Sequence, residues 1–353
     1  MLNDPFDRDS TLSEKDWPAL LRENSRSGGQ SPQAFKRPMA ARWQTSVEGS
    51  VRAAPVLRDR FLYLPSLSGY LHAIDVATGR LKWKYDAGAA IHSTPSLSSR
   101  RVLFGCADGN VYAVDSEAGT KLWNFTAGGE VWASPVVRND AVYFGSADGM
   151  MHAVEIETGA VKWRQPLGGR IYSTAYATEQ YVFTGCGDGY VYGLDRTTGR
   201  IAWKTGTGNG IDCSPAVVNE TLLVGSNDFI FYALNVGDGS IQWKYEAGLG
   251  ISSAPAVSGN LVFVGSKDGV LQALEWRTGR LVWKSPVGRA ITAPPMVSGS
   301  TIWIQAGIIH AVSATDGRIL WRAGLGDSVQ STPVVTEDGI YLASLQGDVY
   351  ALA

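Results

Sequence analysis

The sequence predicts an all-β fold, an eight-bladed β-propeller in which every blade is a four-stranded antiparallel sheet. The first observation is a fixed period: successive tryptophans are separated by 40 residues six times and by 38 residues once. A repeat of this length indicates an array of equal structural units. The second observation is that each unit contains four short apolar runs separated by turn residues, the pattern of one propeller blade. The repeating tryptophans are Trp43, Trp83, Trp123, Trp163, Trp203, Trp243, Trp283 and Trp321.

The four strands of a blade, named A to D from the channel outward, can be placed from one unit. Its apolar runs cover residues 131–137, 141–146, 150–154 and 160–163. A proline recurs in the first run of nearly every unit, and proline is confined to edge strands because it cannot donate to a ladder. We therefore expect strand A to be the free inner edge that faces the central channel. The recurring prolines are Pro55, Pro95, Pro135, Pro215, Pro255, Pro295 and Pro333.

The turns complete the blade. Asp-Gly pairs between strands B and C predict two-residue hairpin turns with positive φ, and they stand at 108–109, 148–149, 188–189 and 268–269. Thr-Gly pairs between strands C and D follow an Asp or Asn that can bond the turn backbone, and four of them stand at 78–79, 158–159, 198–199 and 278–279. We expect the strand-D tryptophan to cover this turn and to pack on the neighbouring blade, because an indole ring buries a large apolar area.

The termini predict how the ring closes. Residues 340–342 and 348–352 form strands with no tryptophan after them, whereas Trp43 has no inner strands before it. We expect residues 41–45 to supply the outer strand of the last blade, which removes an exposed sheet edge. The chain then divides into an N-terminal arm, residues 1–40, and the propeller, residues 41–353. Within the arm, a capping-box pattern at 13–16 predicts a short helix over 17–21, followed by a loop.

Composition excludes several classes of protein. The net charge is −2 with scattered acids and bases, which argues against a nucleic-acid partner. No apolar run is long enough for a transmembrane helix, and residues 1–30 contain no signal peptide. As written, the protein is expected to be a cytoplasmic monomer; removal of a leader would instead indicate a periplasmic or extracellular protein. Cys106, Cys186 and Cys213 form no metal-binding motif and are expected to be buried, reduced thiols.

The turn and tryptophan motif carries a resemblance to a known superfamily. Residues 73–83 (AIDVATGRLKW) and 193–203 (GLDRTTGRIAW) are similar to the tryptophan-docking motif of pyrroloquinoline-quinone-type propellers. That superfamily includes the quinoprotein alcohol dehydrogenases and the propeller lipoprotein of the outer-membrane β-barrel assembly machine. The resemblance covers nearly the whole ring and implies the fold. It does not fix a function, because one fold hosts many.

One position in each unit varies while its neighbours stay constant. It follows the Val or Ile that opens strand A, and its side chains are all different and all polar or aromatic. Strand order places this position at the channel mouth, where converging polar groups can form a ligand pocket. Solvent at an unconstrained rim would tolerate the same variation, so both interpretations stay open. The eight residues are Arg52, His92, Trp132, Tyr172, Asp212, Ser252, Thr292 and Gln330.

The ring suggests roles for several of these side chains. Asp212 or His92 is a candidate general base or acid, Tyr172 a candidate acid or hydrogen-bond donor, and Arg52 a candidate anion stabiliser. Across an eight-fold ring, Arg52 is expected opposite Asp212, and His92 opposite Ser252. The remaining ring residues are candidate ligand contacts.

Two further sets of residues add to the mouth. Glu130 and Arg170, two residues before their ring positions, form a candidate second tier. Phe229 replaces the turn glycine in blade five, so that turn is either strained or lengthened with Phe229 packed locally, and strain can mark a functional residue. In blade seven, the B–C turn at 305–308 has lost two residues.

Three functions follow from these features. The first is a binding or scaffold module that holds a protein partner or a small molecule, with Phe229 and Trp276 as candidate exposed contacts. The second is a cofactor-free enzyme that uses the mouth residues. The third, suggested by the resemblance alone, is a pyrroloquinoline-quinone-dependent dehydrogenase. It is the weakest, because the sequence has no Cys-Cys pair and few acidic residues at the mouth for Ca²⁺.

Overall fold

The computed structural model of the chain describes residues 41–323, 329–336 and 338–352. In this part of the chain, 32 strands form eight four-stranded antiparallel sheets, as the sequence predicts. None of the described residues belongs to a helix long and apolar enough to cross a membrane. The predicted arm and its short helix lie outside the described residues. The boundary at residue 40 therefore stays a prediction.

Blades one to four are built from consecutive strands, four to a blade. They are β2 (Val56–Arg58), β3 (Phe61–Pro65), β4 (Tyr70–Asp75), β5 (Leu81–Asp86); β6 (Ser96–Ser98), β7 (Arg101–Gly105), β8 (Asn110–Asp115), β9 (Lys121–Thr126); β10 (Val136–Arg138), β11 (Ala141–Gly145), β12 (Met150–Glu155), β13 (Val161–Pro166); β14 (Tyr176–Ala177), β15 (Tyr181–Gly185), β16 (Tyr190–Asp195) and β17 (Ile201–Gly206).

Blades five to eight follow the same order, except that β1 (Ala41–Ser46) joins blade eight. The strands are β18 (Ala216–Val218), β19 (Thr221–Gly225), β20 (Ile230–Asn235), β21 (Ile241–Glu246); β22 (Ala256–Ser258), β23 (Leu261–Gly265), β24 (Val270–Glu275), β25 (Leu281–Pro286); β26 (Met296–Ser298), β27 (Thr301–Ala306), β28 (Ile308–Ser313), β29 (Ile319–Ala323); β30 (Val334–Thr336), β31 (Gly339–Ala343) and β32 (Asp348–Leu352).

The ring closes through the clasp that the sequence predicts. Strand β1 pairs antiparallel with β32, and the register runs from Ala41 opposite Leu352 to Ser46 opposite Asp348. A hydrogen bond from the Val47 N–H to the Gly347 carbonyl extends the pairing beyond the strands. The two ends of the propeller are therefore held in one sheet.

Each docked tryptophan ties its blade to the next one. The indole of Trp163 donates a 2.8 Å hydrogen bond to the Arg196 carbonyl, which belongs to the C–D turn of the following blade. Its ring lies against Gly199 of that turn, where an added Cβ would stand 2.5 Å from the indole. The carboxylate of Asp195 accepts hydrogen bonds from the Thr197 and Thr198 N–H groups and so fixes the turn. The packing predicted from the motif is confirmed in seven contacts, since Trp43, Trp83, Trp123, Trp203, Trp243 and Trp283 bond the next blade in the same way.

The hydrophobic core lies between the blades. Each cluster of buried side chains draws on two neighbouring sheets; one of them joins Tyr63 and Leu71 of blade one to Val102 and Phe104 of blade two. The predicted edge position of strand A is confirmed, because β2 and its equivalents stand at the end of every sheet order. The prolines themselves differ slightly from expectation: Pro55 and its equivalents immediately precede these short strands instead of lying within them.

The contact between tryptophan and glycine predicts a large effect on stability. Gly199 combines a φ of +73° with the close indole of Trp163, whereas Gly259 has a φ of +57° and nothing within 4 Å of an added Cβ. Gly259→Ala should cost about 1–2 kcal/mol of unfolding free energy through backbone strain alone. Gly199→Ala should cost about 1–3 kcal/mol more, because the methyl group also overpacks the docking site. Denaturant unfolding of both variants measures the difference, and equal losses would contradict the docking account.

Candidate functional site at the channel mouth

The B–C turns and the D–A connections meet at one end of the propeller, as the strand order requires. In blade after blade the first N–H of a B–C turn donates to the carbonyl two residues before a ring position. These bonds run from Ala107 to Ala90, Ala147 to Glu130, Gly187 to Arg170, Asn227 to Gly210 and Lys267 to Gly250, at 2.9–3.1 Å. The ring positions and the B–C turns therefore share one face, which we call the mouth face.

Three ring residues stack into a ladder along the wall of the mouth. The rings of His92 and Trp132 are 4.4 Å apart between centroids, and those of Trp132 and Tyr172 are 4.7 Å apart at 16°. The Arg170 guanidinium lies 5.2 Å from the Tyr172 centroid and covers that end of the ladder. The three rings come from blades two, three and four, so the ladder joins three successive blades.

The protonation of His92 follows from this packing. Burial lowers the pKa of His92 below its usual 6.5, and the charge of Arg52 lowers it further, while Glu130 opposes the shift. A neutral imidazole stacks on an indole without the desolvation cost of a charged one. His92 is thus a neutral member of the ladder at pH 7.

Asp212 belongs to a second, separate group. Its carboxylate accepts a 2.9 Å hydrogen bond from the Asn227 side-chain amide, and the Lys267 ammonium donates to the side-chain Oδ1 of Asn227 at 2.8 Å. Within the described residues, no hydrogen bond or ion pair joins Asp212 to His92, Tyr172 or Arg52. The four candidate acid–base residues are therefore spread over three groups on the mouth.

Arg52 and Gln330 make the third group. The Arg52 Nε–H donates to the Gln330 amide oxygen at 3.2 Å, across the junction of blades one and eight. Both side chains line a cavity of about 190 Å³ that also reaches Thr292. Ser252 is half-buried on blade six. The predicted contacts across the ring, Arg52 with Asp212 and His92 with Ser252, stay predictions; the contacts that the structure provides run sideways, between neighbouring blades.

Phe229 occupies a strained turn. Its φ is +74°, close to the φ values of the glycines at the equivalent position in other blades. Its N–H still donates to the Ser226 carbonyl. The alternative of a lengthened turn with a locally packed ring is wrong, because the turn has its ordinary length and the side chain is 44% exposed. A non-glycine residue at such a φ costs free energy.

Leu249, which sequence reasoning missed, lies next to Phe229. Its side chain is 43% exposed, and the equivalent residues in other blades include Ala89, Gly129 and Gly169. At the equivalent of Phe229 in blade three, a Cβ on Gly149 would stand 3.1 Å from the Gly169 carbonyl, which marks the two positions as neighbours. We call Phe229 and Leu249 the apolar pair.

Trp276 is not an exposed contact, contrary to expectation. It is 7% exposed, and its indole donates a 3.2 Å hydrogen bond to the Gly259 carbonyl while the Arg277 guanidinium lies 4.9 Å from its ring. Its carbonyl accepts the indole N–H of Trp243. Trp276 is therefore part of the docking between blades five and six.

Buried Ser146 and His152 form, with the exposed Asp148, a cluster that superficially resembles a nucleophilic triad. The His152 Nε2 lies 3.2 Å from the Ser146 Oγ, but Asp148 accepts its hydrogen bond from Ser146 and leaves the imidazole unoriented. A triad needs the carboxylate on the histidine. The same turn in blade six carries Gln272, which donates to the Ser266 Oγ at 3.1 Å. The cluster is thus a structural variant of a repeated turn.

The described residues do not fit a quinone-and-calcium site. No group of three or more His, Cys, Asp or Glu side chains among them is arranged to hold a metal ion. The three cysteines are unpaired and buried, and burial raises the pKa of each thiol to about 12. Their expected burial in the reduced state is confirmed.

Comparison with known proteins supports the assignment of the fold. A family model described as outer membrane protein assembly factor BamB matches residues 33–180, 187–303 and 267–353. No curated protein matches the chain.

Several solved structures share this eight-bladed fold at low sequence identity. BamB from Moraxella catarrhalis is 20% identical, with a TM-score of 0.77 over 89% of this chain and 99% of that one. The computationally designed Ika8 protein is 19% identical, with a TM-score of 0.78 over 87% and 98%. A europium-containing methanol dehydrogenase is 13% identical, with a TM-score of 0.78 over 94% and 90%. These likenesses show that the chain shares the eight-bladed fold of these proteins, and they show the fold alone.

His152 predicts a measurable dependence of stability on pH. Burial lowers the pKa of His152 from 6.5 to about 4. Between pH 4 and 6.5, this histidine is therefore protonated in the unfolded chain and neutral in the folded one. The contribution of His152 to the unfolding free energy is therefore fully present above pH 6.5. It is lost as the pH falls towards 4, and the loss amounts to roughly 2–3 kcal/mol. His152→Gln, which copies Gln272, should remove that loss. Unfolding free energies of both proteins at pH 7.5 and 4.5 test it; parallel changes would contradict the assignment.

Proposed function

The chain belongs to the family of outer membrane protein assembly factor BamB, and we propose that it is a scaffold that binds another protein on its mouth face. The observation that carries this proposal is the apolar pair. Phe229 and Leu249 occupy neighbouring positions on the mouth face, positions at which most other blades carry small residues, and both are over 40% exposed.

The strain at Phe229 supports a role in binding. Glycine would satisfy the φ of +74° without cost, as it does at Gly109, Gly149, Gly189 and Gly269. Scattered exposed apolar residues need no explanation, but two adjacent ones on a rigid turn resemble the centre of an interface. The partner would be a protein that places an apolar side chain against the pair.

The surroundings of the pair suit such a contact. The Asp212–Asn227–Lys267 chain of hydrogen bonds lies on the same blades and offers polar groups already held in place. An apolar centre with a polar rim is the usual anatomy of a protein interface. The family description, outer membrane protein assembly factor, names a role in assembling other proteins. We extend that broad role, binding to another protein, to this chain.

Catalysis at the mouth is the weaker alternative. General acid–base chemistry needs its groups around a common point. His92 and Tyr172 instead contact the two faces of Trp132, Asp212 is bonded to Asn227, and Arg52 to Gln330. These contacts favour the binding module over the cofactor-free enzyme.

Photo-cross-linking in the host cell tests the proposal. A photoreactive residue at 249 should cross-link one defined polypeptide, and the same residue at 201, an exposed site on outer strand β17, should not. If both sites capture the same set of proteins, or if neither captures any, the mouth face is not the docking surface.

Variants of the apolar pair separate binding from folding. Phe229→Gly should be at least as stable as the parent protein, because it relieves strain of about 1 kcal/mol, and should weaken partner binding by 2 kcal/mol or more, roughly thirtyfold. Leu249→Ala should weaken binding without loss of stability, and Ile201→Ala serves as the matched control. Affinity for the cross-linked partner and unfolding free energy are the two measurements. Parental affinity in Phe229→Gly would refute the assignment of the pair.

A further inference from the structure

The channel wall carries a chain of hydroxyl groups that links neighbouring blades. The backbone N–H of Thr94 donates to the Ser134 Oγ at 2.9 Å, that of Ser134 to the Thr174 Oγ1 at 3.1 Å, and that of Thr174 to the Ser214 Oγ at 2.9 Å. The four residues occupy the same repeat position in blades two to five. We call them the hydroxyl belt.

The belt is interrupted on the other half of the ring. The equivalent residues are Ala254, Pro294 and Ala54, none of which has a hydroxyl group, and Thr332. The Thr332 hydroxyl instead donates to the Pro294 carbonyl at 3.2 Å. At the preceding position, Ala53 and Ala293 are also small. The missing side-chain atoms leave space in the wall of the channel.

The cavity of about 190 Å³ lies in this gap. The described residues that line it are Arg52, Ala53, Ala54, Thr94, Thr292, Ala293, Pro294, Gln330 and Thr332. At ~30 Å³ for each water molecule, the volume corresponds to roughly six waters. It is below the range of pockets that hold drug-sized ligands. The cavity therefore suits a ligand of a few heavy atoms.

The chemistry of the lining favours a negative ligand. Arg52 is the charged residue among those nine, and no acidic side chain of the described chain forms an ion pair with it. Its Nε–H bonds to Gln330, which leaves the terminal amino groups of the guanidinium as donors. The hydroxyls of Thr94 and Thr292 can also donate.

Two buried backbone donors point to the same conclusion. By the geometry of the belt, the Thr332 N–H faces position 54, where Ala54 offers no acceptor, and the Ala54 N–H faces Thr94. Neither N–H has a hydrogen-bond partner within the described residues, although Ala54 is 8% and Thr332 5% exposed. Buried N–H groups without a partner are rare and costly. An oxygen anion or water in the cavity would satisfy them.

We propose that this cavity binds a small oxyanion, a phosphate or carboxylate group, held by Arg52, the Ala54 and Thr332 N–H groups and the threonine hydroxyls. The site is independent of the partner-binding role proposed above, because it lies in the wall of the channel on blades seven, eight, one and two, away from the apolar pair on blade five. It is also distinct in chemistry from a quinone-and-calcium site.

Calorimetric titration with inorganic phosphate and, separately, with acetate tests the proposal in a buffer free of other oxyanions. At least one anion should bind saturably at one site with a Kd on the order of 1 mM or tighter. Binding of phosphate alone would identify a phosphate site, and binding of acetate alone a carboxylate site. The absence of saturable binding by both would overturn the proposal.

Three variants locate the site. Arg52→Gln should weaken binding by roughly tenfold or more, because it removes the charged donors. Arg170→Gln removes another exposed arginine of the mouth face and should leave the affinity unchanged. Ala54→Ser restores the hydroxyl that the belt lacks, so it should weaken binding while the melting temperature stays the same or rises. Unchanged affinity in Arg52→Gln, or equal losses in the two arginine variants, would contradict the assignment.

Histidine resonances provide a readout that is local to the cavity. The charge of Arg52 lowers the pKa of His92, and His92 is two residues from Thr94 in the lining. A bound anion should offset that charge and raise the pKa of His92, while the resonances of buried His152 in blade three stay unmoved. A titration that shifts both histidines equally, or neither, would place the anion elsewhere.

Discussion

The whole structure depends on the contact between a tryptophan and the turn of the next blade. A single blade is a four-stranded sheet with two faces to bury, and the core lies between blades instead of within them. The indole of Trp163 packs between two neighbouring blades, and its N–H donates a hydrogen bond to the Arg196 carbonyl. Seven such contacts and the β1–β32 clasp fix the angle between neighbours and so the size of the ring.

That rigid repeat makes the departures from it informative. The positive φ of the B–C turn favours glycine, yet in blade five Phe229 occupies this position with the same turn conformation. The belt position calls for a hydroxyl, and Ala54 and Pro294 do not provide one. The first departure produces an exposed apolar pair, and the second produces a cavity. Since the surrounding blades hold both in place, each is a preorganised feature and not a local collapse.

Much of the architecture could be predicted from the sequence because periodic signals add up over eight copies. Blade number, strand order, turn positions and the clasp all follow from repeated residues, and all are confirmed. Which mouth residues touch each other could not be predicted, because the ladder of His92, Trp132 and Tyr172 depends on side-chain rotamers. Leu249 was missed since one substitution in a variable loop has no period. The burial of Trp276 could not be predicted because its repeat position carries buried or half-buried residues of every polarity, among them Val76, Ser116 and Arg196.

Native mass spectrometry of the protein purified from its own host tests the central claim, that the mouth face binds a protein, most directly. The account predicts a complex of this chain with a second polypeptide, which dissociates in Phe229→Gly and persists in Ile201→Ala. A small mass increment from an oxyanion would be compatible with it. A chain that carries a quinone-sized cofactor and no second polypeptide would contradict the account, and so would a complex that is indifferent to Phe229.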